Sequence, residues 1–227
     1  MNLKILLASP LTVRILPFAL FMAFIALDPV FSYLFAGKDL RLVYSIKTVL
    51  VLVVLLYLWR HYTELKTVKG VRALDWALSL AAGVGVFVLW IHLDQPWMMM
   101  GEAKPYDPFK PGTQDYDMWL VVFRITGSAL VVPIMEELFW RSFLMRWIDR
   151  NDFLGLDPRA ISARAILICA VLFALEHNLW LAGLIAGLIY NALYWYTRNL
   201  WTVILAHGLT NGILGFWVLS SKQWQFW

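Results

Sequence analysis

An all-α, polytopic transmembrane helical bundle is the fold class this sequence predicts, and three observations carry it. The 227 residues are 61% apolar and only 15% charged, with a mean hydropathy of +0.68. Soluble domains run about 45–50% apolar and about 25% charged, so this excess has no soluble core to fill. The apolar residues also fall in continuous runs near the ~20 residues a membrane helix needs, without the alternation of barrel strands. Thirteen Trp, nine Tyr and fourteen Phe suit helix ends anchored at the headgroups.

The runs predict about seven spans, with room for an eighth. Leu11–Leu27 is read as a retained first span, because no small-residue cleavage pattern follows it and Asp28-Pro29 does. Val43–Trp59 and Trp76–Leu93 come next. Met118–Met135 continues to about Trp147, and Ile161–Leu175, Leu179–Tyr196 and Leu200–Ser220 complete the set. Residues 1–117 are expected to hold the N-terminal helices and an acidic, proline-rich loop, and 118–227 a second unit of four helices. Gly183 and Gly187 form a small-xxx-small face for helix packing, and Asn191 on the same side is expected to contact the polar site.

Loop charge predicts the orientation. Arg60, Lys66, Lys69 and Arg72 lie in the segment Arg60–Asp75, and five arginines lie in Arg141–Arg164. Asp94–Asp117 instead holds five acids, among them Glu102, two lysines (Lys104 and Lys110) and four prolines. Basic loops stay cytoplasmic, which puts the N-terminus, with Lys4 and Arg14, on the cytoplasmic side. The acidic loop, with Trp97 and Met98–Met100, is expected to be a solvated connector. The formal charge of +4 is accounted for by these loops and implies no nucleic-acid partner. Cys169 stands alone in an apolar helix, which excludes an intrachain disulfide and a thiolate metal cluster. His61 and His92 read as interfacial.

Charge inside a membrane segment costs at least about 2.5–3.5 kcal/mol per group and marks a working site. Glu136 and Glu137 end the run Met118–Met135, and Arg141 follows. Residues four apart share a helical face, so Glu137 and Arg141 are placed for an ion pair while Glu136 projects elsewhere. An uncompensated Glu136 can take a proton from water and return it to a leaving amine. Pro133 loosens the helix beside it by removing an N–H. His177 lies one turn after Phe173, and Asn211 one turn after His207, with Gly208 and Gly212 allowing close backbone approach. Asn211 can fix the His207 tautomer or donate to a developing oxyanion. Glu176 reads as a supporting carboxylate.

In order, Glu136-Glu137-Leu138-Phe139-Trp140-Arg141, Phe173-Ala174-Leu175-Glu176-His177 and His207-Gly208-Leu209-Thr210-Asn211 match E-E-x-x-x-R, F-x-x-x-H and H-x-x-x-N. Over about Met118–Ser220 the chain therefore resembles the CPBP family of intramembrane proteases, which includes the CAAX prenyl endopeptidases. The resemblance implies peptide-bond hydrolysis by a C-terminal four-helix catalytic core. Glu136 would activate water, His177 and His207 would position it, and Asn211 would steady the oxyanion. Glu137, Arg141 and Glu176 would support them. His177, His207 and Glu136 can also make a zinc site with an open position, although a metal-free mechanism is favoured. The expected substrate is a hydrophobic or lipidated peptide or protein at the membrane lipid surface.

Two other function classes use the same residues. One is a non-catalytic binding, immunity or scaffold protein with the same polar chamber. The other is a proton-coupled transporter, disfavoured because no internal repeat is visible. Seven straight spans would leave Glu136, His177 and His207 at depths differing by well over ~10 Å. Projection of the fourth and fifth helices beyond the bilayer is the expected remedy.

Overall fold

The computed structural model describes residues 9–66, 68, 70–101 and 105–227. Lys4, Lys69, Glu102 and Lys104 of the charge pattern lie outside the described residues. The predicted helices all form. Helix α1 (Pro10–Ala26) bends by 48° into α2 (Asp28–Leu34), where Pro29 cannot continue the hydrogen-bond ladder. Helix α3 is Leu42–Leu58 and α4 is Ala73–Trp90. The long α5 runs Met118–Trp147, followed by α6 (Ala163–Leu175), α7 (Trp180–Thr197) and α8 (Leu200–Ser221).

Local chemistry sets these ends. Asp117 accepts from the N–H groups of Trp119 and Leu120 at the start of α5, and Ser162 from Ala165 at the start of α6. Arg72 and Asp75 form a reciprocal cap on α4. Helices α7 and α8 stop at Arg198 and Lys222, both left-handed at φ 57° and 59°.

Small residues let the helices close up. A Cβ on Gly83 of α4 would lie 2.6 Å from the Ala206 carbonyl of α8, and one on Gly187 of α7 would lie 3.2 Å from Ala170 Cα of α6. The Gly183–Gly187 face therefore packs α7 on α6, as the spacing predicts.

The all-helical bundle is as expected, but the span number is lower than seven. Four helices are long and apolar enough to cross a membrane: Leu42–His61, Ala73–Trp90, Met118–Trp147 and Leu200–Ser221. The bent α1–α2 pair makes a fifth if it counts as one span. Helix α6 has 13 residues, about 20 Å of rise, short of a ~30 Å hydrocarbon core. Helix α7 has 18 residues but is diluted by Trp, Tyr and Asn. Glu136 and His177 nevertheless line one cavity, and α5, at 30 residues or about 45 Å, is longer than a ~30 Å hydrocarbon core.

Two further expectations change. The described residues of the loop, 94–101 and 105–117, are docked rather than merely solvated. Met100 N–H donates to the Asn178 carbonyl at 2.7 Å, Trp180 Nε1 to the Trp97 carbonyl at 3.1 Å, and Tyr116 OH to the Leu219 carbonyl at 3.2 Å. Two arginines counted among the basic flanks are buried: Arg14 is fully enclosed and Arg146 nearly so.

Candidate active site

Helix α5 is not a uniform α-helix. It takes π-turns over Gly127–Val131 and Leu138–Leu144, a distortion frequent at functional sites. In the first π-turn the Val132 N–H reaches five residues back to the Gly127 carbonyl. Pro133 has no N–H to offer. The Ser128 carbonyl is thus passed over by both, and Asn211 Nδ2 of α8 donates to it at 2.9 Å. The Ala129 carbonyl, which loses its α-helical donor to Pro133, faces Gly208, where a Cβ would sit 2.6 Å from its oxygen. Pro133 and Gly208 together lock α8 against α5 at the level of the site.

Past Pro133 the two glutamates diverge. Glu137 is fully buried and its Oε1 accepts from Arg141 at 3.1 Å, the expected i, i+4 pair. The same oxygen accepts from His207 Nδ1 at 2.8 Å. Arg141 also donates to Asn191 Oδ1 at 3.0 Å, and its guanidinium lies 4.7 Å from the Phe173 ring centre and 5.4 Å from that of Tyr190. Asn191 in turn donates to the Ile166 carbonyl of α6 at 3.0 Å. One buried ion pair thereby ties α5, α6, α7 and α8 together.

Glu136 points the other way. Its Oε2 is buried without a hydrogen-bond partner among the described residues and lies 4.0 Å from His207 Nε2. It faces a cavity of about 190 Å³, room for several waters. His177, His207, Tyr190 and Asn211 line the same cavity.

Both imidazoles are oriented through Nδ1. His177 Nδ1 is 2.7 Å from the Phe173 carbonyl, which can only accept, so Nδ1 carries the proton. Glu137 does the same for His207. Each ring then turns its Nε2 away from that partner. His177 packs against Trp90 and Phe173, and His207 stacks on Tyr190 at 5.2 Å. Tyr190 OH is fixed by Thr210 at 2.7 Å.

The structure thus gathers Glu136, His177, His207 and Asn211 around one cavity, with Glu137 and Arg141 behind it. Asn211 reaches Ser128 rather than His207, so the His207 tautomer is held by Glu137. Glu176 does not line the cavity and accepts from Trp140 Nε1 at 3.2 Å. Asn191, expected to reach the site from its helix face, does so through Arg141; its spacing from Gly187 signals the face but not that partner. Tyr190 and Thr210 carried no signal of their own.

Two imidazole nitrogens and a carboxylate are donor types that suit zinc. Their spacing fits less well: among the described residues no three His, Cys, Asp or Glu side chains converge enough to hold a metal ion.

No curated protein and no solved structure matched the chain. The family model described as type II CAAX prenyl endopeptidase Rce1-like matches residues 118–213. The chain is an integral membrane protein whose segment 118–213, carrying Glu136, His177, His207 and Asn211, is similar to that Rce1-like CAAX endopeptidase family.

Proposed function

We propose that this protein is an intramembrane endopeptidase that hydrolyses a peptide bond of a hydrophobic or lipidated substrate, with Glu136 as general base. The observation that carries the reading is the unpartnered, buried Glu136 Oε2, which shares a cavity with two imidazoles. A buried carboxylate oxygen left without a partner is costly unless water or substrate supplies one.

Each residue then has a definite task. A water in the cavity gives one hydrogen to Glu136 and points the other at an imidazole Nε2. As its oxygen bonds to the substrate carbonyl carbon, Glu136 takes the first proton. The carbonyl oxygen becomes an oxyanion and accepts from Asn211 Nδ2, whose other hydrogen is held by Ser128. When the C–N bond breaks, Glu136 returns its proton to the leaving nitrogen. Glu137 and Arg141 hold His207 and the helices in register. The N-terminus-in orientation in a bacterial inner membrane is part of the same proposal.

The test is Glu136→Gln, which keeps size and polarity but cannot accept the proton. New peptide termini in the membrane fraction should appear with wild-type protein and be absent with the variant, a loss of at least ~10²-fold, while the folded yield is unchanged. Equal processing by the variant would remove Glu136 as the base. Absence of new termini with wild-type protein would favour a binding role for the chamber.

A further inference from the structure

A second groove, of about 620 Å³, lies between the α1–α2 bend, the start of α3, the loop near Tyr106 and the start of α5. Its walls include Phe24, Ile25 and Val43, and it contains three cations, Arg41, Lys47 and Arg124, against two acids, Asp28 and Asp107. The acids are engaged: Asp107 lies 3.9 Å from Arg41, and Asp28 interacts with Lys47.

Arg124 stands apart. Its guanidinium is 4.4 Å from the Tyr44 ring centre and 5.0 Å from that of Tyr106, and no described carboxylate forms an ion pair with it. Lys47 is likewise held over rings, 4.0 Å from Phe21 and 5.0 Å from Tyr44. Lys47 is five residues into α3 and Arg124 six into α5, about 8–9 Å from the helix starts. Ile25 on the wall is 46% exposed, so the groove opens on an apolar flank.

We propose that Arg124 and Lys47 bind the phosphate of an anionic phospholipid whose acyl chain lies along Phe24, Ile25 and Val43. An uncompensated membrane-level cation needs an anion, and an apolar wall leading to it selects an anion with a hydrocarbon chain. Arg124 supplies a planar fork and Lys47 a point charge, a pairing that phosphate oxygens satisfy. Arg124 also lines the cavity holding Glu136, so a lipid here abuts that chamber. The inference does not depend on the hydrolytic reading.

The test uses purified, delipidated full-length protein and its Glu136→Gln form, with the melting temperature followed as phosphatidylglycerol is titrated. Phosphatidylglycerol should raise the melting temperature in both forms, with phosphatidylcholine and inorganic phosphate doing so far less. Lys47→Gln and Arg124→Gln should each weaken the apparent affinity about fivefold, near what one basic residue contributes at an anionic surface. Lys47→Arg should restore it, which separates lost charge from misfolding. Equal response to phosphatidylglycerol in wild type and both glutamine variants would overturn the proposal. Equivalent stabilisation by inorganic phosphate would reassign the site to a free anion. Arg124-dependent binding of a peptide with a free C-terminal carboxylate, but not of phosphatidylglycerol, would reassign it to peptide.

Discussion

Glu136 and Glu137 show how one residue of separation divides two jobs. The 100° between neighbours on a helix sends one carboxylate to Arg141 and His207 and the other to the cavity. Removing one member of a fully buried pair leaves an uncompensated charge, at about 3–5 kcal/mol. Glu137→Ala and Arg141→Ala should therefore each lower the melting temperature markedly. The double variant should be much less than additive in a double-mutant cycle, and full additivity would show that the two do not act as a pair. This pair was legible in the sequence because i, i+4 spacing is enough to read it, and so was the divergence of Glu136. The partner of His207 was not. Glu137 and His207 are 70 residues apart, and nothing in either local pattern says that they meet.

Helix α5 owes its shape to a defect. Pro133 withdraws a donor, the adjacent turn widens, and the freed Ser128 carbonyl becomes the anchor of Asn211. Pro133→Ala returns the N–H and lets the helix recapture its own carbonyls. The variant should be at least as stable, since proline in a helix interior is costly. Its turnover per folded molecule should fall by about tenfold to a hundredfold as Asn211 loses its register. Unchanged turnover would separate Asn211 from the oxyanion. Helix positions themselves were readable to within a few residues, because continuous apolar runs mark them well. The number that cross a bilayer was not, because α6 and α7 are apolar by composition yet too short or too polar for that test.

At the scale of the whole molecule, a second polar knot ties the N-terminal half to α5. Arg14 of α1 donates to Glu64 at 2.8 Å and 2.5 Å and to Ser142 at 3.1 Å. Arg146 donates to Ser142 Oγ at 2.9 Å, and Ser142 also bonds Glu64. Burial alone would raise the Glu64 pKa, but hydrogen bonds and charge from Arg14, with help from Ser142, hold it below the usual carboxylate range. A carboxyl depressed in the folded state contributes stability above its unfolded pKa and loses it as pH falls through the folded value. Acid should thus lower the melting temperature from about pH 4.5 downward, and Glu64→Gln should flatten that part of the profile. An identical acid profile in the variant would show that the knot is not the acid-labile element. Sequence reading took Arg14 for a topology charge, because its partners lie 50 and 128 residues away.

The brevity of α6 has a consequence for the surrounding lipid. A 13-residue helix falls about 10 Å short of a ~30 Å hydrocarbon layer, and bilayers relieve such mismatch by thinning. Thinning beside His177 shortens the path by which water, and a peptide bond to be cut, reach the cavity. Membrane thickness then becomes a control variable for this protein. Turnover in vesicles of longer-chain lipid should fall relative to shorter-chain lipid of the same headgroup, and rates indifferent to chain length would show that the bilayer does not deform around α6.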